Sequence, residues 1–349
     1  MRPTPRPRHD LAVLIFCGVA AVYAYVAWAH TALTPAQMNA ATAALARRDP
    51  GLYPHDTVFG PDRLGRFETP AFQALLELLL VPTGYEDLTL PFRVLAPLLT
   101  LTYLGGMYAL LYRQCRSWSV AAFVAVLSTR VTAAPGGVQW GVGPASMVTS
   151  AGVVLALVPA LVLLFLRTRP TRRVLLAFLA VGALANFHPP TAANLTLVLL
   201  VVYVAGRRWR PGAWPMAGAC GLAALAGAAL PIGYYLGLRA QLGAALEAAG
   251  FSTAREALTA AGADVLYPNL LGGLFDWLPW AGILLVVSAI VLARTERYRP
   301  PNRPEWTAFL TAALVLGLAV QGGQQAWVKA EDVPPPFLEL VQATALAML

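Results

Sequence analysis

Long apolar runs alternate along the chain with short polar connections, and most of those connections are rich in arginine. Leu11 to His30 is an apolar run of about 20 residues, the length of one bilayer crossing. A secretory signal would have a shorter apolar core of ~7–15 residues ahead of its cleavage site, so an uncleaved first helix is predicted. Pro70 to Pro82 is apolar for only about 13 residues and is interrupted by Glu77, which predicts an interfacial or re-entrant helix, with a true crossing as the alternative. Further runs occupy Leu88–Tyr112, Trp118–Ala134, Met147–Leu166, Val174–Phe187, Pro190–Ala205, Ala213–Leu238, Leu278–Ala293 and Trp306–Gln321. The predicted fold is an all-α polytopic transmembrane helix bundle of about nine crossings, treated as a single membrane domain over 1–349. Short surface helices are expected in its first and later outer loops.

The arginines set the register of these runs. Arg113 and Arg116, Arg167 to Arg173, Arg207 to Arg210 and Arg294 to Arg303 close alternate runs, as expected for connections held in the cytoplasm. With the amino terminus also cytoplasmic, 31–87 becomes an outer loop and 239–277 a second outer segment. This register requires that Pro70–Pro82 does not cross. The acids supply an independent check: only Asp10, Glu296 and Glu305 fall on the cytoplasmic side. The expected location is a cell (inner or plasma) membrane. Phe337 to Leu349 is apolar for only about 13 residues, which reads as the start of another helix in a truncated chain.

Within the outer loop, Thr34-Pro35 predicts a helix N-cap with proline at the first helical position, and Gln37 completes a capping box. Met38, Ala41, Ala44 and Leu45 recur at helical spacing and predict a short amphipathic helix lying on the membrane surface and ending at Arg47-Arg48. Ala244–Ala261 predicts a similar helix in the second outer segment.

Composition supports a lipid-solvated chain: 58% of its 349 residues are hydrophobic and 12% charged, about half the charged share of soluble domains. The net charge of +8 is spread over separate connections, which excludes a continuous nucleic-acid face. Cys17, Cys115 and Cys220 are too far apart for a metal motif and read as small packing residues. No Walker A, HExxH or CxxC motif is present, which argues against nucleotide-driven transport and zinc proteolysis.

Chemistry concentrates in Asp49-Pro50-Gly51-Leu52-Tyr53-Pro54-His55-Asp56. Asp56 and Asp49 are the candidate general bases, since a carboxylate can take a proton in a transition state or ligate a hard cation; turn capping is the ordinary alternative. His55 and Tyr53 are candidate substrate contacts beside them. His188, in Asn186-Phe187-His188-Pro189-Pro190, is a third, and His30 is a weaker interfacial one. Arg93 and Arg130 lie inside apolar runs near their outer ends and suit a lipid phosphate or pyrophosphate. The alternative for Arg93 is an ion pair with Glu86 or Glu77.

The order of these features resembles the GT-C superfamily of membrane glycosyltransferases. The likeness rests on a first helix, an acidic outer loop, a proline-led apolar helix (Thr69-Pro70-Ala71-Phe72), Gly84-Tyr85-Glu86-Asp87, and an arginine entering the next crossing (Leu90-Pro91-Phe92-Arg93). Leu52-Tyr53-Pro54-His55-Asp56 and Phe187-His188-Pro189 are similar to segments of bacterial membrane proteins of this type. The position of the family's early acidic pair reads His30-Thr31-Ala32 here. The resemblance implies sugar transfer, with inversion, from a polyprenyl-phosphate donor on the outer face. Asp56 or Asp49 would deprotonate the acceptor, directly or with a divalent metal ion, and Arg93 or Arg130 would hold the lipid phosphate. Membrane lipid and the donor are the implied partners. A lipid or solute transporter (flippase) and a non-catalytic scaffold of the same fold are the other two readings.

Overall fold

A computed structural model describes residues 9–29, 33–49, 51–53, 69–129, 148–167, 173–206, 213–248 and 250. Every regular element among them is helical: α1 (His9–Ala29), α2 (Pro35–Arg48), α3 (Pro70–Leu80), α4 (Leu90–Cys115), α5 (Trp118–Ser128), α6 (Ser150–Arg167), α7 (Arg173–Ala183), α8 (Pro189–Gly206), α9 (Ala213–Gly227) and α10 (Ala229–Ala248). Two of them, α1 and α4, are long and apolar enough to cross a membrane. The expected runs Leu278–Ala293 and Trp306–Gln321, with the tail that follows, lie outside the described residues. So does most of 239–277. The described residues fall into two compact units, one from Met1–Val131, Gly141–Thr171 and Asn186–His188, the other from Thr132–Trp140, Arg172–Ala185 and Pro189–Leu349.

In the first unit, α1 buries a single stripe, Ala12, Phe16, Ala20, Tyr23 and Ala27, the spacing of one helix face. Leu14, Val22, Tyr25 and Trp28 on the remaining surface are exposed. The two ends of α1 meet opposite ends of α4. His9 Nδ1 lies 2.6 Å from the Tyr108 hydroxyl, and its ring stands edge-on to Tyr112. At the other end the Arg93 guanidinium lies over the Trp28 ring at 5.1 Å. The helices are therefore antiparallel, and the residues between them leave and return at one end, as the arginine register requires of this pair. An α3 of 11 residues rises about 16 Å, roughly half a hydrocarbon core.

α4 turns back through Arg116, whose left-handed φ of 55° ends the helix. Ser117 then caps α5, its hydroxyl accepting from Val120 N. The buried Tyr23 and Thr129 hydroxyls, 2.9 Å apart, join the end of α5 to α1. α6 runs parallel to α4. Gly106 admits the close approach, since a Cβ there would meet Ala160 N at 3.0 Å. Arg113 donates to the Leu166 carbonyl in the last turn of α6 (3.1 Å), where carbonyls lack helical partners.

α2 has the predicted capping box: Thr34 Oγ1 accepts from Gln37 N, and Gln37 Oε1 accepts from Thr34 N. Its inner face shares Ala41 and Ala44 with the expected stripe but not Met38. Gln37, Ala40, Ala41 and Ala44 are buried whereas Met38 is 59% exposed. Single methyl groups let the α2 backbone approach the bundle closely, and Gln37 Nε2 donates to the Val148 carbonyl (3.0 Å) ahead of α6. Its alanine face is covered by protein, not left for a membrane surface.

In the second unit α7 and α9 cross at glycines. A Cβ on Gly182 would collide with the Ala224 backbone, and one on Gly227 with Leu179 O. The single helix expected over Ala213–Leu238 is divided at Ala228. The ladder continues through Ala228 N to Ala224 O and Ile232 N to Ala228 O, both 3.0 Å. Pro231, however, has no N–H for the Gly227 carbonyl, and this breaks the run. Ala244 accordingly lies within α10 and does not open a new helix.

Gly182→Ala is expected to lower the thermal midpoint of the detergent-purified chain, a loss of about 1–3 kcal/mol from overpacking. Gly218→Ala, with open space around its Cβ, should leave the midpoint unchanged or raise it. Thr34→Ala should cost about 1 kcal/mol through loss of the cap, read from the same melts.

Candidate functional site at one end of the bundle

Arg47, Arg48, Glu77, Tyr85, Asp87 and Arg93 form a set of contacts around the opening of α4. α2 and α3 form the walls of this region. In the last turn of α2, Arg47 Nη1 donates to Gln73 Oε1 of α3 at 2.8 Å, and its Nε lies 3.5 Å from Glu77 Oε1. Next to it, the Arg48 guanidinium covers the Tyr85 ring at 3.9 Å. The two arginines read as helix-end cations are thus ties between elements. Glu77, a carboxylate in an apolar helix, has the cationic partner such a residue requires.

The turn after α3 explains how Tyr85 reaches Arg48. Gly84 N bonds Val81 O and Tyr85 N bonds Leu80 O, closing the helix with Gly84 left-handed at φ 59°. Tyr85 is also left-handed, at φ 72°, which is uncommon for a bulky residue and costs about 1–2 kcal/mol. The Arg48 stack helps hold it there.

Asp87 leads into α4. Its Oδ1 accepts from Thr89 N (2.9 Å) and Thr89 Oγ1 (2.6 Å); Oδ2 lies 3.5 Å from Arg93 Nη1. The Thr89 hydroxyl, more than the arginine, holds the Asp87 carboxyl below its ordinary value of 3.8. The α4 amino terminus also favours a negative charge there. The ion-pair partner of Arg93 is therefore Asp87, not Glu86 or Glu77. Arg93, in the first turns of α4, reaches back to Asp87 just ahead of that helix, whereas Glu77 is held by Arg47. Arg93 Nε is buried without a hydrogen-bond partner among the described residues.

Of the sequence-derived site residues, Asp49 ends α2, is exposed, and accepts from Gly51 N through Oδ1 (3.0 Å). That is the turn-capping role. Tyr53 is half-buried four residues further on, and His188 is half-buried in the connection before α8. That connection is tied to α3: Thr69 Oγ1 donates to the Phe187 carbonyl (2.5 Å), although Thr69 occupies the N-cap of its own helix without capping it. The structure thus brings Asp49, Arg93 and His188 to elements of one unit. Asp56, His55, Arg130 and His30 lie outside the described residues. No group of three or more His, Cys, Asp or Glu suited to a metal ion occurs among the described residues. Gln73 and the Tyr85 stack escaped sequence reading; the signal for Gln73 was a polar side chain one turn before Glu77 in an otherwise apolar helix.

No protein-family model, curated protein or solved structure matches the chain.

Because the Asp87 pKa is lowered in the folded state, its contribution to stability is fully present above pH 3.8 and is lost as pH falls through the folded value. Thermal melts below pH 3.8 should therefore show Asp87→Asn flattening the acid-side loss of stability. Thr89→Val, which removes the largest cause, should flatten it in the same direction.

Proposed function

We propose that the protein is an integral membrane glycosyltransferase of the GT-C type, moving a sugar from a polyprenyl-phosphate donor to an acceptor on the extracytoplasmic face. On this reading the bundle crosses the membrane several times with its amino terminus in the cytoplasm. The observation that carries the proposal is a division of surfaces. The flanks of α1 and α4 expose Leu14, Val22, Leu98 and Leu101, which suits lipid tails far better than water. The two described ion pairs, Arg47–Glu77 and Asp87–Arg93, instead lie on α2, α3 and the opening of α4. A donor with its lipid tail beside the bundle and its phosphate at the opening of α4 would meet arginine there. Asp56 serves as the base that takes the acceptor proton, with Asp49 as the second carboxylate of the loop. His55, Tyr53 and His188 contact the sugars, and Arg93 or Arg130 holds the phosphate. A transporter would place its polar groups near midplane; the described ion pairs all lie at helix ends.

A non-catalytic scaffold is the second reading, favoured by Asp49 and Arg93 both having partners within the protein.

The test is transfer or hydrolysis of labelled polyprenyl-phosphate sugars by the purified full chain. Asp56→Asn is expected to slow turnover by about 10²–10⁴-fold, the range for loss of a general base, and Asp49→Asn by less. Wild-type protein without turnover, or Asp56→Asn at the wild-type rate, overturns the assignment.

A further inference from the structure

Two tyrosines and the end of a third helix meet in the interior of the first unit. α5 starts beside the end of α4 and rises about 16 Å over its 11 residues. It therefore stops about halfway along α4, level with Tyr103, which stands roughly 18 Å along that helix from Cys115. Ser128 and Thr129 close α5 there, beside Tyr103 of α4 and Tyr23 of α1. All four side chains are buried.

The hydroxyl protons of this cluster are almost all committed. Ser128 donates to the Ala125 carbonyl (2.8 Å) and Thr129 to the Val126 carbonyl (2.7 Å). Tyr23 is therefore the donor in its 2.9 Å bond with Thr129. Tyr103 is 1% exposed. Its hydroxyl faces Ser128, yet it is buried without a hydrogen-bond partner among the described residues, a costly state for a polar group. What the cluster offers is a set of oxygen lone pairs at the carboxyl end of a helix, where the backbone dipole is negative. That repels an anion and suits a hard cation. No carboxylate belongs to the cluster, so it can offset the burial of one charge far better than of two.

We infer that the end of α5, with the Tyr103 and Ser128 hydroxyls, binds a small monovalent cation of the sodium class. Carboxyl ends of helices that stop within a bilayer coordinate sodium by the same means. The cation is a resident of the fold that holds α5 between α1 and α4, and the inference stands apart from the glycosyltransferase reading.

Thermal melts of the detergent-purified full chain in sodium chloride and in choline chloride, at equal ionic strength, test the inference. The midpoint should rise with sodium to a plateau, as binding to the folded state requires, and choline should give no rise. Tyr103→Phe removes only a hydroxyl without a partner among the described residues. In choline chloride it should melt at or above the wild type. Its apparent sodium affinity should fall about tenfold or more, since even outer-shell partners of a metal ion carry that much. Should Tyr103→Phe not fold, Ser128→Ala serves for the same comparison. Arg130→Gln, which removes the charge next to Thr129 in sequence, should keep the rise. Equal wild-type midpoints in the two salts, an unchanged sodium response in the folded hydroxyl variant, or loss of the response in Arg130→Gln each overturns the inference.

Discussion

The antiparallel pairing of α1 with α4 is the constraint on which the rest of the first unit depends. It is pinned at both ends by different chemistry. The His9–Tyr108 contact and the Tyr112 ring hold one end; the Arg93 guanidinium over Trp28 holds the other. Once those ends are set, everything between Ala29 and Leu90 must begin and finish at one end of the bundle. Arg47 and Arg48 of α2 and Gln73 and Glu77 of α3 meet each other and Tyr85 ahead of α4.

Within that region the ties have a consistent pattern. Each arginine is held by a residue from another turn or helix: Arg47 by Gln73 and Glu77, Arg48 by Tyr85, Arg93 by Asp87 and Trp28. Exposed ion pairs at these distances contribute little each, on the order of 0–1 kcal/mol. Their value is geometric, because planar guanidinium groups present donors in a fixed direction. Alanine supplies the complementary device in α2, where single methyl groups allow close approach and Gln37 supplies the direction.

Features that sequence makes visible here are those set by neighbours in the chain. The apolar lengths of α1 and α4 announce themselves, as does the Thr34–Gln37 capping box, because each depends on a few consecutive residues. A charge in α3 announces that it needs a partner without saying which one. Choosing Arg47 for Glu77, Phe187 for Thr69 or Tyr108 for His9 depends on tertiary closeness across long stretches of chain. The exposure of Met38, expected on one stripe with the buried Ala41 and Ala44, has a related cause. Hydrophobicity ranks Met38 above alanine, but the close approach of α2 to its neighbours favours the smaller side chain. The break at Ala228 was legible in principle, since Pro231 stands four residues after Gly227.

Thr69 has a consequence for how this end of the protein can vary. A threonine at a helix start ordinarily spends its hydroxyl on its own helix. Here it bonds the Phe187 carbonyl instead, so the N-cap of α3 and the connection carrying His188 are tied together. The turn at Asp49–Gly51 ends α2. Loop-closure entropy grows only with the logarithm of length, so the stretch of chain between these two points can gain or lose residues at little energetic cost. Length changes there would leave the packing of α2 and α3 untouched.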